Sequence, residues 1–295
     1  MAIDSALKRS SPQAREGASV RGTERTIDIV LVSALALGAI IMLLPFGWML
    51  STSLKLPGEI FTYPIQWLPK TPRFENYAQA LTVLPFGRFF ANSLFVAASV
   101  TVLDLLTASL AAFAFARLRF KGRDVLFTLY LITLMIPSQV TLIPSFIIVR
   151  LLGWYNTYPA LIFPVAVSAF SAFLLRQQFR QIPMDLDEAA RIDGASSWRI
   201  WYSVGLPLIA PALAALATIT FLAQWNSFLW PLVVTSSLEM RTVTVGLQTF
   251  IGRNNVQWQL LMAAAVISLV PVLVLYLAAQ KRIVEAVSLS GGGGR

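Results

Sequence analysis

The chain has 295 residues, of which 57% are hydrophobic and only 13% charged, with a mean hydropathy of +0.70. That balance excludes a soluble domain of ordinary composition and makes lipid the solvent for most of the polypeptide. With no Cys and no His, disulfides, thiolate or imidazole metal sites, Ser-His and Cys-His nucleophile pairs and histidine pH switches are excluded as well.

Residues 1–26 are polar, mixing Ser, Gly, Arg and Glu ahead of an apolar run too long for a secretory signal, and are read as a disordered tail. Uncharged runs then follow at Ile29 to Leu54, Val125 to Val149, Leu151 to Leu175, Ile200 to Leu238 and Asn254 to Gln280, and a further run from Phe89 to Ala116 is interrupted only by Asp104. Each matches or exceeds the roughly 20 residues a helix needs to cross a bilayer core. In lipid every backbone amide must be satisfied internally, and runs this long lack the two-residue alternation of barrel strands, so all six are expected to be helices. The long Ile200 to Leu238 run holds Pro207, Pro211 and Pro231 and is expected to give one helix plus its flanks. No internal repeat is evident.

The 23 Lys and Arg residues divide sixteen to seven between alternate loops when the N-terminus is placed inside. By the positive-inside rule both termini are expected to be cytoplasmic. The net charge of +9 is then mostly topology, and nucleic acid is not expected as a partner. The outer loop from Lys55 to Arg88 carries Pro57, Pro64, Pro69, Pro72 and Pro85 with Tyr63, Trp67 and Tyr77, and reads equally as an ordered cap or as an interfacial aromatic belt.

The most informative stretch is the charged loop before the fifth span, QIPMDLDEAARIDGASSWRIWYSVGLPLIAPAL from Gln181 to Leu213. Asp185, Asp187 and Glu188 open a short helix at the end where carboxylates meet the positive pole of the dipole. Gly194 permits the left-handed turn that ends it, and Ala189, Ala190 and Ala195 are small enough for another surface to approach closely. Ser196 or Ser197 is placed to cap a second short helix through Trp198 and Tyr202, before Pro207 restarts the chain as a membrane helix. The expectation is a bent helical knob.

The spacing of Glu188-Ala189-Ala190, then Gly194, then Val204-Gly205-Leu206-Pro207 resembles the signature loop of binding-protein-dependent ABC transporter permeases, the one departure being Val204 where Ile is usual. From about Asn92 to Ser290, stretches such as LMIPSQVTLIP, LLRQQFRQIP, QWNSFLWPL and TVGLQTF are similar to the second permease of carbohydrate-uptake ABC transporters, the type of the smaller maltose-transporter permease. The ending QKRIVEAVSLSG resembles that family too, with Gly-Gly-Gly-Gly-Arg where Lys-Gly is usual. The resemblance implies an all-α membrane protein with six transmembrane helices and the type I ABC importer permease fold. It implies a membrane core over 89–282 with a coupling loop at 177–204, the first helix and outer loop over 27–88, and a tail at 283–295. The implied partners are two copies of an ABC ATPase, a second homologous permease, an extracellular solute-binding protein, the lipid bilayer and a sugar, in a bacterial or archaeal cell membrane. In that family the coupling set is Glu188, Ala189, Ala190, Asp193, Gly194, Ala195, Leu206 and Pro207, with Glu188 pairing a basic group of the ATPase.

No Gly-rich loop ending in Gly-Lys-Ser or Gly-Lys-Thr occurs, so the chain encodes no phosphate cradle of that kind. It is therefore expected to bind no cofactor and to perform no catalysis, ATP and Mg being held by the partner ATPase. Polar side chains within spans mark candidate routes for solute: Gln139 and Thr141 between Pro137 and Pro144, and Gln224, Trp225, Asn226, Ser227 and Trp230 near the fifth span's outer end. Amides beside aromatic faces suit sugar hydroxyls and C-H surfaces. The same residues also suit helix-helix hydrogen bonding and interfacial anchoring. Asp104, the lone formal charge within a span, reads either as an inter-helix hydrogen bond or as a proton or sodium site. The second reading belongs to a rival class, an ion-coupled carrier acting alone; glycerol phosphate or polyol uptake is the alternative within the leading class.

Overall fold

A computed structural model describes residues 12–251 and 256–291, with side-chain surroundings for residues 28–251, 256–278 and 280. The expectations for residues 1–11, for Asn254 at the start of the last run and for residues 292–295 lie outside the described residues. Apart from one isolated antiparallel bridge, Ile251 to Val256, the described residues form no strand.

The first helix, α1, runs from Pro12 to Ser53. Residues 12–26, expected to be disordered, are thus its opening turns, where Ala14, Arg15, Glu16 and Ala18 are good helix formers. Its apolar part, Asp28–Ser53, is 26 residues long and its most apolar stretch is 0% buried within the chain. A helix apolar all round and unburied by its own chain needs lipid or another polypeptide around it. A short helix, α2 (Glu75–Thr82), lies within the outer loop.

The spine is α3, 32 unbroken residues from Phe86 to Arg117. At ~1.5 Å per residue it spans about 48 Å, more than a ~30 Å hydrocarbon core. Its buried residues recur every three or four positions, from Phe86, Phe89, Ser93 and Val96 through Val100, Asp104 and Ala108 to Ala112, with Phe113 and Arg117 a further turn apart, the stripe of a helix packed along one side. It packs chiefly against α7 (Ala169–Gln181) and α11 (Ala210–Trp225).

Three of the six expected spans are pairs of helices that meet at a bend. The segment Arg123–Met135, containing α4 (Arg123–Ile132), and α5 (Ser138–Leu151) meet at 100°. Ile136 is extended there, with ψ 115°, as the residue before Pro137 is pushed to be. The segment Tyr158–Val165, containing α6 (Tyr158–Ile162), meets α7 at 47°. Ser197–Leu208 meets α11 at 79°. Among the described residues three helices are long and apolar enough to cross a membrane unaided, Asp28–Ser53, Phe86–Arg117 and Trp258–Ala278, and the total rises to six if each bent pair is one span.

Between α7 and α11 lie α8 (Met184–Ile192), α9 (Ser197–Ile200), a π-helical turn at Trp201–Gly205 and the three-residue α10 (Leu206–Leu208). The membrane helix therefore restarts at Ala210, with Pro211 in its first turn, and not at Pro207 as expected, because the chain breaks at Ile209. After it come α12 (Leu229–Val234), α13 (Val243–Leu247) and α14 (Trp258–Gly291), which packs along α1 and α11. The helix α14 continues through residues 283–291, where a tail was expected.

One apolar core joins Ala112 and Phe113 of α3 to Leu175 and Phe179 of α7 and to Ile200, Trp201 and Leu216, directly beneath the 181–213 loop. A second, at the opposite end of α3, joins Phe86 and Phe89 to Trp225, Val243, Phe250 and Ala263.

Candidate functional site: the coupling knob and a polar cavity

The knob is built by local backbone rules. Asp185 and Asp187 occupy the first turn of α8. The helix ends in a Schellman motif: the Ala195 amide donates to Ala190 O (2.9 Å) and the Gly194 amide to Arg191 O (3.0 Å), with Gly194 left-handed at φ +79°. Ser196 then caps α9, its hydroxyl accepting from the Arg199 amide at 3.3 Å. Ala190, Ala195 and Leu206 turn inward onto the α3–α7 core. Glu188, Ala189, Asp193, Gly194 and Pro207 face outward. Ile192 is 87% and Trp198 59% exposed, and among the described residues Glu188 makes no ion pair. A cleft of about 540 Å³ beside the knob is lined by Arg117, Arg119, Met184, Asp187, Glu188 and Arg191 among others.

The knob's base is held by Arg117, the last residue of α3. Its Nε lies 3.7 Å from Asp187 Oδ2, its Nη2 donates to Ile182 O at 2.7 Å, and its Nη1 contacts Met184 Sδ at 2.6 Å. Both charged residues are buried, at 5% and 4% exposure. At 3.7 Å the carboxylate contact is coulombic rather than a hydrogen bond, and Asp187 Oδ2 has no hydrogen-bond partner. In the sequence Arg117 counts only toward loop charge, and the same holds for Arg176. That second arginine stacks on Phe127 at 4.1 Å, donates to Phe115 O and reaches Asp124 at 3.6 Å, joining α7 to α4.

Asp104, buried to 1% exposure in the middle of α3, accepts from Ser171 Oγ on α7 (2.7 Å) and Thr220 Oγ1 on α11 (3.1 Å). It is an inter-helix tie. Among the described residues Asp104 makes no ion pair, and its Oδ1 has no hydrogen-bond partner.

Of the seven polar candidates for the solute route, the structure brings four together, Ser227 among them. Gln139 and Thr141 of α5 and Trp230 of α12 line one cavity of about 410 Å³ with Ser138, Ser145, Ser227 and Phe228, and no charged side chain is on its wall. Sequence reasoning missed Ser138 and Ser145, whose signal was their position beside Pro137 and Pro144. Trp230 donates its indole N-H to Ala160 O at 2.9 Å, leaving its ring as the contact surface. Trp225 lies elsewhere. It is 2% exposed, stacked on Phe221 at 6.0 Å, and donates to Ser268 O of α14 at 3.3 Å. The helix ends at Trp225, so Trp225 and Trp230 sit on different elements despite their closeness in sequence. Gln224 and Asn226 are not on the cavity wall, and the Asn226 amide donates to Leu222 O at 2.9 Å.

At the other end of α3 the 55–85 loop is ordered. Asn76 donates to Ser53 O (2.8 Å) and Lys55 O (3.0 Å). Lys55 donates to Gln66 O at 2.5 Å and sits 4.1 Å over the Trp48 ring, and Ser53 Oγ meets the Tyr77 hydroxyl at 2.7 Å. Burial pushes the Lys55 ammonium below the usual lysine range, against the nearby Glu59 charge, which raises it.

Among the described residues, helices that allow up to six spans, an outward-facing knob at one end and an uncharged polar cavity among broken helices fit the class of membrane transport permeases. The chain belongs to the family described as "Binding-protein-dependent transport system inner membrane component", whose model matches residues 105–289. It is 36% identical over 270 residues to the diacetylchitobiose uptake system permease protein of Streptomyces coelicolor, covering 90% of this chain and 89% of that one. To the trehalose/maltose transport system permease protein of Thermococcus litoralis it is 38% identical over 266 residues, covering 88% and 95%. Among solved structures it is similar to a bacterial ABC transporter involved in import of the acidic polysaccharide alginate, with a TM-score of 0.80, 27% identity and coverage of 88% of this chain and 97% of that one.

Proposed function

We propose that this permease imports a saccharide handed over by an extracellular binding protein, with the force supplied by a separate ABC ATPase acting on the α8–α9 knob. The observation that carries the reading is the knob itself: a rigid, Gly194-ended hook presenting Ile192, Trp198 and the unpaired Glu188 to solvent. Apolar side chains this exposed on an ordered hook outside the apolar spans suit a protein partner. On this reading Glu188 meets a basic group of the ATPase, and Ala189, Asp193 and Gly194 form the close-fitting face. Ala190, Ala195 and Leu206 seat the hook on the core. ATP and Mg bind the ATPase, of which two copies serve this chain and a sister permease.

The knob end is then cytoplasmic, with both chain termini, and the 55–85 cap faces the binding protein across a bacterial or archaeal cell membrane. Gln139, Thr141, Ser227 and Trp230 form this chain's share of the path, amides and hydroxyls meeting sugar hydroxyls and Trp230 meeting C-H faces. Saccharide transport by the two relatives supports the cargo class. Affinity purification tests the assembly: the chain is expected to carry an ATPase and a second permease with it. Solute uptake by the purified chain alone in liposomes, driven by an ion gradient, refutes the reading.

A further inference from the structure

We propose that Arg117 is a positioning residue that locks the knob to α3, so that α3, and not the covalent neighbours α7 and α11, carries the knob's displacement through the membrane. The inference rests on the reading that an ATPase moves the knob.

The two covalent connections of the knob are both interrupted. Between α7 and α8 the chain is extended at Ile182 (ψ 130°) and Pro183 (ψ 139°). Between α9 and α11 it passes through the π-helical turn Trp201–Gly205, a break at Ile209 (φ −97°, ψ 11°) and a 79° bend. Interruptions of this kind are where helices bend, so neither connection acts as a rigid rod. The helix α3 is unbroken over 32 residues, and its last residue grips the knob at Asp187, Ile182 and Met184. An arginine serving only as a topological anchor snorkels its head into water; at 5% exposure, paired with a carboxylate at 4%, Arg117 does not.

What α3 receives at Arg117 it delivers at two levels. Roughly 20 Å along the helix, Asp104 is hydrogen-bonded to both α7 and α11. At the far end the Asn92 amide donates to Glu239 O (2.7 Å) and Arg241 O (2.9 Å), and Ser93 Oγ accepts from the Val243 amide at 2.8 Å. The same rod therefore touches the knob, the mid-membrane tie and the 239–243 segment on the cap side. The physical warrant for coupling is a rigid element shared by both ends, which is what α3 supplies.

The absence of Cys lets spin labels be placed at Leu186 on the knob, 44% exposed and outside the proposed docking face, and at Val102, 64% exposed on α3. In the full complex, reconstituted with its ATPase, sister permease and binding protein, the Leu186–Val102 distance distribution is expected to be the same without nucleotide and with ATP and vanadate trapped. In Arg117→Gln it is expected to shift or broaden between those states, while binding-protein-stimulated ATP hydrolysis falls at least tenfold and basal hydrolysis is kept. A nucleotide-dependent change of that distance in the wild-type chain overturns the proposal, as does full stimulation in Arg117→Gln. The wild-type distance decides the matter even where the variant fails to assemble. If Gly194→Leu also leaves stimulation intact, it is the coupling reading that fails, not the latch alone.

Discussion

Gly194 allows the backbone and interface contributions of one residue to be separated. Its φ of +79° lies where an L side chain is strained, a cost of about 1–2 kcal/mol. A Cβ built there meets nothing within 4 Å. Within the isolated permease, Gly194→Ala and Gly194→Leu should therefore destabilise the knob by a similar ~1–2 kcal/mol, since both pay the backbone strain and neither collides with its own chain. Against a closely fitted ATPase they should differ. Alanine adds one methyl, whereas leucine drives three further carbons into the interface, an overpacking cost of about 1–3 kcal/mol, or roughly 5- to 150-fold in the coupled equilibrium. The assay is substrate-stimulated ATP hydrolysis by the reconstituted complex beside thermal unfolding of the detergent-solubilised permease. Normal stimulation in Gly194→Leu, or an unfolding penalty for leucine far above that for alanine, refutes the reasoning.

Asp104→Leu strands the Ser171 and Thr220 hydroxyls and should cost about 1–3 kcal/mol, measured by thermal unfolding, whereas Asp104→Asn should be nearly neutral and leave the pH profile of uptake unchanged; a proton or sodium site at Asp104 requires the opposite. Because burial holds Lys55 below its usual range, the folded chain binds fewer protons than the unfolded one just beneath the ordinary lysine pKa of about 10.4. Stability should rise with pH through that window, and Lys55→Met should flatten the slope in unfolding measured at a series of alkaline pH values; an unchanged slope counts against the buried ammonium. Trp230→Ala should lower uptake while binding-protein docking is kept, and Trp225→Ala should instead destabilise the permease by about 3–5 kcal/mol as a core deletion; equal losses of uptake at unchanged stability would argue against the cavity assignment.

The sequence carried the helical class and the six apolar runs because lipid demands long, internally bonded segments, and it carried the knob because Gly194, Ser196 and the acidic first turn are local signals read without tertiary context. What it concealed depends on neighbours distant in the chain. The prolines at 137 and 211 and the break at Ile209 mark weak points, but a bend of 100° or 79° is set by what each half packs against. Arg117 was hidden within a count of loop charges, since nothing local says that a terminal arginine will turn inward to meet Asp187. Trp225 and Trp230 look alike on paper, and only the end of α11 between them sends one to the α14 core and the other to the cavity. Asp104 carries no local sign that Ser171 and Thr220 will stand beside it, 67 and 116 positions along the chain.

The most direct test of the account is solute uptake into proteoliposomes holding this chain, its sister permease and the ATPase, with the loaded binding protein on the cap side. Uptake is expected only when ATP and Mg are supplied on the knob side, and it should vanish when the ATPase is made incapable of hydrolysis. Uptake that persists without the ATPase, or that follows an ion gradient in its place, contradicts the claim that the knob is driven by an external motor.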